Sequence, residues 1–135
     1  MDNSENIKIL NFISDILNDD NGKIKLEATD LLLCIKNISD AHYLESKAIK
    51  GKDRHLVCSK ELIHDKYFAA NPLNRFDNVM LNIEGGDVKL YEMDEVAAYV
   101  KDASKEDVNL VIAHTSNDSL KHQIKVKMLA TKFDK

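Results

Sequence analysis

Apolar side chains recur at helical spacing near the start of the chain. Ile9, Ile13, Ile16 and Leu17 fall on one stripe, with Asp15 and Asn18 off it. The spacing predicts a helix over 5–18, with Ser4 as its N-cap and Asn21-Gly22 as its stop. Residues 23–26 read as extended, 27–37 as a second helix, and 41–49 as a strand with weak alternation. Gly51 breaks the chain before a third helix, about 53–70, whose stripe is Leu56, Ile63 and Tyr67 with Cys58 and Leu62 flanking it. Pro72 ends that helix. Val79, Leu81 and Ile83 alternate as a strand, Gly85-Gly86 turns the chain, and 88–91 reads as a short second strand. A fourth helix carries Val96, Ala97, Val100 and Ala103, with Glu92, Asp94 and Glu95 at its start, where negative charge suits the helix dipole. The nearly continuous apolar run 108–113 reads as a central strand buried on both faces. In the last strand Ile124, Val126, Met128 and Ala130 point one way, and Lys125, Lys127 and Thr131 the other. Helices and strands mixed along the whole chain predict one α+β domain over 1–135, a two-layer mixed sheet of about four strands with flanking helices.

Composition narrows the class. The 135 residues are the length of one domain and bury about 68% of their unfolded surface, enough for a core without staples. The 19 basic and 23 acidic residues give a net charge of −4, which argues against a nucleic-acid partner. Lys121, Lys125, Lys127 and Lys132 alternate with apolar residues and read as the solvated face of a strand. Cys34 and Cys58 are too few for a disulfide framework or a metal site, and read as buried thiols in a reducing compartment. No apolar run resembles a signal peptide or approaches the roughly 20 residues of a membrane span, so a cytoplasmic protein without a direct membrane partner is expected.

Candidate chemistry is sparse. Four glycines, Gly22, Gly51, Gly85 and Gly86, cannot build a phosphate-cradling loop, so no nucleotide or other cofactor is expected on this chain itself. The segment 18–22 evokes a calcium loop, but Leu17 and Ala28 would stand where carboxylates are needed. The five histidines, His42, His55, His64, His114 and His122, lack metal-ligand spacing and read as scattered polar residues; no metal is expected. Glu27 and Asp30 share one face at the start of the second helix, where acids also serve as capping residues.

Four blocks in order resemble one family. The segment Asn78-Val79-Met80-Leu81-Asn82-Ile83-Glu84-Gly85-Gly86 is similar to an apolar strand ending in NIxGG. Residues 88–100, with Glu92, Asp94-Glu95-Val96-Ala97 and Val100, resemble the following strand and helix. Val108-Asn109-Leu110-Val111-Ile112 and Val126-Lys127-Met128-Leu129-Ala130-Thr131-Lys132-Phe133-Asp134 match its last two strands. Upstream, Asn71-Pro72-Leu73, Gly51-Lys52-Asp53-Arg54 and Ile13-Ser14-Asp15-Ile16-Leu17 fall where that family has a turn, a GxxR and a helix. The chain thus resembles the C-terminal domain of the FtsZ/tubulin family, divergent and without the family's GTPase domain.

That resemblance places Ile24-Lys25-Leu26-Glu27-Ala28-Thr29-Asp30 on the family's inter-subunit loop. It implies partner binding through Lys25, Leu26, Glu27 and Asp30, with FtsZ-like subunits as the partners. It also implies catalysis only in trans, Glu27 and Asp30 positioning the water that attacks a GTP held by a neighbour's domain. Glu27 is one methylene longer than the family's Asp, and Lys25 is a cation where the family has a neutral amide. The implied function is the polymerisation domain of a bacterial cell-division cytoskeletal protein. The alternatives are a stand-alone module that caps or regulates filaments, and an unrelated small enzyme or ligand binder on a similar scaffold.

Overall fold

The computed structural model of the chain describes residues 3–18 and 38–133. Its elements run α1 (Asn3–Asn18), β1 (Ile38–Glu45), β2 (Ile49–Lys50), α2 (Arg54–Ile63), α3 (Lys66–Ala70), β3 (Asn78–Gly85), α4 (Leu90–Ala103), β4 (Asn109–Ser116) and β5 (Gln123–Phe133). The strand order is β1-β5-β3-β4, with the short β2 also pairing β5. β5 is antiparallel to β1, β2 and β3, whereas β3 and β4 are parallel and joined through α4. The expected α+β domain with a mixed sheet and flanking helices is what forms.

The alternation predicted for β5 holds and organises both faces of the sheet. Ile124, Val126, Met128 and Ala130 join Val79, Leu81 and Ile83 beneath Cys58 and Leu62 of α2 and Met93, Val96 and Val100 of α4. On the opposite face Leu129, Met80, Ala41, Tyr43 and Ala113 meet Phe12 and Ile16 of α1. Each fully buried Val, Leu, Ile, Phe or Met among them contributes roughly 1.5–3 kcal/mol relative to exposure.

Several local expectations are corrected. The third helix is two helices, because Asp65 accepts a hydrogen bond from the Tyr67 N–H at 2.9 Å and caps a new start. Residues 88–91 are not a strand: Leu90 opens α4, whose Glu92 carboxylate accepts the Lys89 N–H at 3.0 Å. β4 is not central but ends the strand order. Its apolar run arises because Leu110 and Ile112 pack on one core cluster and Val111 and Ala113 on the other. Ser4 lies within α1 rather than capping it. The expected extended segment 23–26, the second helix 27–37, the Asn21-Gly22 stop and Cys34 lie outside the described residues.

The histidines are not uniformly surface groups. His55 and His114 are buried, and His42 stacks on Tyr67 with ring centroids 3.4 Å apart. Nor are the lysines of β5 a solvated face. Lys127 is largely covered on the α1 side, with its Nζ 2.8 Å from Glu84, and Lys125 pairs with Glu45 at 2.6 Å. The alternation is real, but α1 stands over the face the lysines occupy.

Candidate functional site

The residues singled out from sequence, Lys25, Leu26, Glu27 and Asp30, lie outside the described residues. The segment that leads to them is described. Phe12 packs edge-on against Tyr43, which pairs across the sheet with Leu129. One turn later Asp15 lies 3.7 Å from the Lys127 ammonium, two residues nearer the start of β5. α1 therefore runs toward the end of the sheet where β3 and β4 finish. The connections 46–53, 86–89 and 117–122 all emerge at this same end. Three loops and the last turn of α1 thus form one end face.

A partly buried polar network underlies it on the α1 side. Burial pushes the Glu84 carboxyl up, but the Lys127 ammonium and the Asn117 amide (Nδ2 2.6 Å away) hold it below its ordinary value. Glu45 is likewise held low against its burial, by Lys125 and by the Tyr43 hydroxyl that donates to it at 3.1 Å. Burial and the neighbouring Glu45 charge push the Tyr43 phenol well up. These pairs fix the rim beside the last turn of α1.

On the opposite side of the sheet a buried charge clasp ties the loops together. Arg54, the first residue of α2, is only 7% exposed. Its guanidinium donates twice to Glu92, through Nε and Nη2, both at 2.8 Å. Nη1 donates to Asp87 Oδ1 at 2.8 Å and to the His122 carbonyl at 2.7 Å, and Nη2 to the Asp87 carbonyl at 3.1 Å. One side chain thus reaches the starts of α2 and α4 and the turn before β5. Hydrogen bonds to Glu92 raise the Arg54 guanidinium further above its ordinary value despite burial. Burial pushes Glu92 up, but Arg54 and the Lys89 N–H outweigh it and leave the carboxyl low. Asp87 is held low first by His122, 3.1 Å away, and then by Arg54. His55 extends the clasp, its Nε2 2.6 Å from Glu95 and its Nδ1 3.6 Å from Glu92.

Sequence reasoning missed this clasp. It took Glu92 and Glu95 as dipole-matched acids and assigned α2 a stripe through Leu56 and Ile63. The buried face of α2 is instead Arg54, His55, Cys58, Ser59 and Leu62. The one available signal was the Gly51-Lys52-Asp53-Arg54 match, which marked Arg54 without its partners. His122 pairs with Asp87, and the Ser119 hydroxyl donates to Asn117. Among the described residues no three His, Cys, Asp or Glu side chains gather as a metal site, and no helix is long and apolar enough to cross a membrane.

Outside the clasp the end face is grooved. An open cleft of about 270 Å³ lies against Lys52, Lys89, Tyr91 and His122. A second, of about 420 Å³, adjoins it at His122 and is bordered by Lys50 and Lys121. These are open surfaces rather than enclosed ligand cavities.

Known structures share this architecture. An empty FtsZ dimer of M. jannaschii superposes with a TM-score of 0.67 at 17% identity, over 97% of this chain and 40% of that one. An FtsZ variant of the same organism gives 0.70 at 18%, over 98% and 42%. The TubZ of Bacillus thuringiensis serovar israelensis, solved as GDP-form protofilaments, gives 0.64 at 8%, over 96% and 36%. The chain therefore spans about two fifths of the length of the FtsZ structures it matches. At these identities the likeness establishes the fold. Family membership rests on the sequence pattern of the FtsZ family, C-terminal domain, which matches residues 45–134, two thirds of the chain. The chain belongs to the FtsZ family, through its C-terminal domain.

Proposed function

We propose that this domain is the polymerisation half of an FtsZ-like, cytoplasmic cell-division protein and that its end face meets the next subunit of a filament. The observation that carries the reading is the match to the family's C-terminal domain over residues 45–134. The topology supports it, because α1 ends at the face where three loops converge. In this reading the segment 24–30 reaches the GTP of the neighbouring subunit, and Lys25 and Leu26 contact that subunit. Glu27 and Asp30 orient the attacking water there, and placement of the nucleophile is a large part of phosphoryl-transfer catalysis. The nucleotide is held by the neighbour, so the chain alone turns over no GTP.

The test is to titrate the 135-residue chain into polymerising FtsZ and follow sedimentation and GTP turnover. Both should fall once the chain reaches a stoichiometric ratio. The double change Glu27→Ala, Asp30→Ala should abolish the effect while the circular dichroism spectrum stays that of a folded domain. No change in either readout with folded wild-type chain sinks the proposal.

A further inference from the structure

We infer that the groove on the end face is a docking site for an extended acidic peptide segment of a partner chain. The chain as a whole carries a net charge of −4, so a local surplus of cations runs against its composition. Lys50, Lys52, Lys89 and Lys121 border the groove, and none forms an ion pair among the described residues. The largely exposed His122 joins the two clefts. Of the acids nearby, Asp87 and Glu92 are already engaged by Arg54, and Asp87 also by His122, which leaves Asp53 and Asp118 against four lysines.

Two further features favour a peptide over a diffuse polyanion. Tyr91 lines the groove at 56% exposure, and its neighbour Leu90 is 60% exposed. Such amphipathic anchors at a rim fit a side chain beside the carboxylates rather than a phosphate backbone. The floor is also rigid, because Arg54 holds three loops through hydrogen bonds of 2.7–3.1 Å. A preformed floor reduces the ordering cost of binding.

Lys121 adds an independent sign. Its φ of 55° and ψ of −114° place it in a turn conformation that suits glycine. A long cation is kept there against local strain, on the border of the groove.

The probe is a fluorescein-labelled octapeptide of six glutamates and two leucines, followed by anisotropy against the 135-residue chain at 50 mM salt. The triple reversal Lys52→Glu, Lys89→Glu, Lys121→Glu should weaken binding at least tenfold. A control with the same charge change at exposed sites elsewhere, Lys8→Glu, Lys66→Glu, Lys101→Glu, should change it less than twofold. Lys121→Gly should raise the melting temperature while weakening the peptide, which separates binding from folding. No binding by the wild type, equal loss in the control, or equal affinity for a short polyphosphate each overturns the proposal. The lysine reversals leave residues 24–30 unaltered and the filament assay changes only Glu27 and Asp30, so the two tests fail separately.

Discussion

Arg54→Met is the most informative single perturbation of the domain. It removes five hydrogen bonds and leaves the Glu92 carboxylate, 3% exposed, with the Lys89 N–H as its one remaining close donor among the described residues. Breaking a buried ion pair by removing one partner costs about 3–5 kcal/mol, because the remaining charge stays desolvated. Against a typical net stability of about 5–15 kcal/mol that is a large fraction. For a domain of this length it corresponds to a fall of about 10–20 °C in melting temperature.

Glu92→Leu should cost less, about 2–4 kcal/mol, since Arg54 keeps Asp87 and the His122 carbonyl. The double variant Arg54→Met, Glu92→Leu then removes both charges and should cost less than the sum of the singles by at least about 1 kcal/mol. Urea denaturation of all four proteins, with the slopes compared to confirm two-state behaviour, measures the cycle. Additivity within about 0.5 kcal/mol, or a single Arg54→Met cost below about 1 kcal/mol, would refute the claim that this pair is desolvated and coupled.

Three other expectations follow from particular atoms. A Cβ on Gly85 would lie 2.9 Å from Val88 Cγ2 and 3.1 Å from Ile124 Cγ2, both on buried side chains, so Gly85→Ala should destabilise by about 1–3 kcal/mol, read as a lower urea midpoint. Glu45, Glu84 and Glu92 are held below the ordinary carboxylate value of 4.5. Their stabilisation is therefore complete above that value and lost as pH falls through the lower folded-state values; midpoints equal at pH 7 and 5.5 but reduced at pH 3.5 are expected, and a flat profile would contradict the pairing. Cys58 is fully buried, with its thiol pushed up first by burial. In a Cys34→Ser background its reaction with a thiol reagent should be at least a hundredfold slower in the folded chain than in urea, whereas rapid labelling would place it at the surface.

The legible parts of the fold are those where one face of an element is uniformly apolar. β5 and β3 were readable because alternate residues enter the same core, and α4 because Val96 and Val100 sit on a clean stripe. The clasp was not readable, because it buries polar residues whose partners lie 33 to 68 positions away. Arg54, His55 and Ser59 occupy the inner face of α2, so the apolar residues that remain trace a different stripe. β4 misled for a related reason: an edge strand that packs on both faces carries the same apolar run as a central one. The lysines of β5 looked solvated because nothing local to that strand shows that α1 lies above it.

The distribution of backbone strain points to the same end of the molecule as the loops do. Among the described residues only Asp53 and Lys121 hold positive φ without being glycine, at 61° and 55°, and Gly51 holds 100°. All three stand in the connections that build the end face, two of them on either side of the Arg54 clasp. A left-handed backbone costs a non-glycine residue roughly 1–2 kcal/mol, and such residues persist where surrounding contacts over-determine them. Arg54 supplies that determination here, since it ties the 51–54 turn to Asp87 and to the His122 carbonyl. A fold that needed only to close its sheet would use glycine at residues 53 and 121. Keeping a carboxylate and an ammonium there, on a face stiffened by a buried ion pair, is the arrangement expected where shape and charge are presented to another chain.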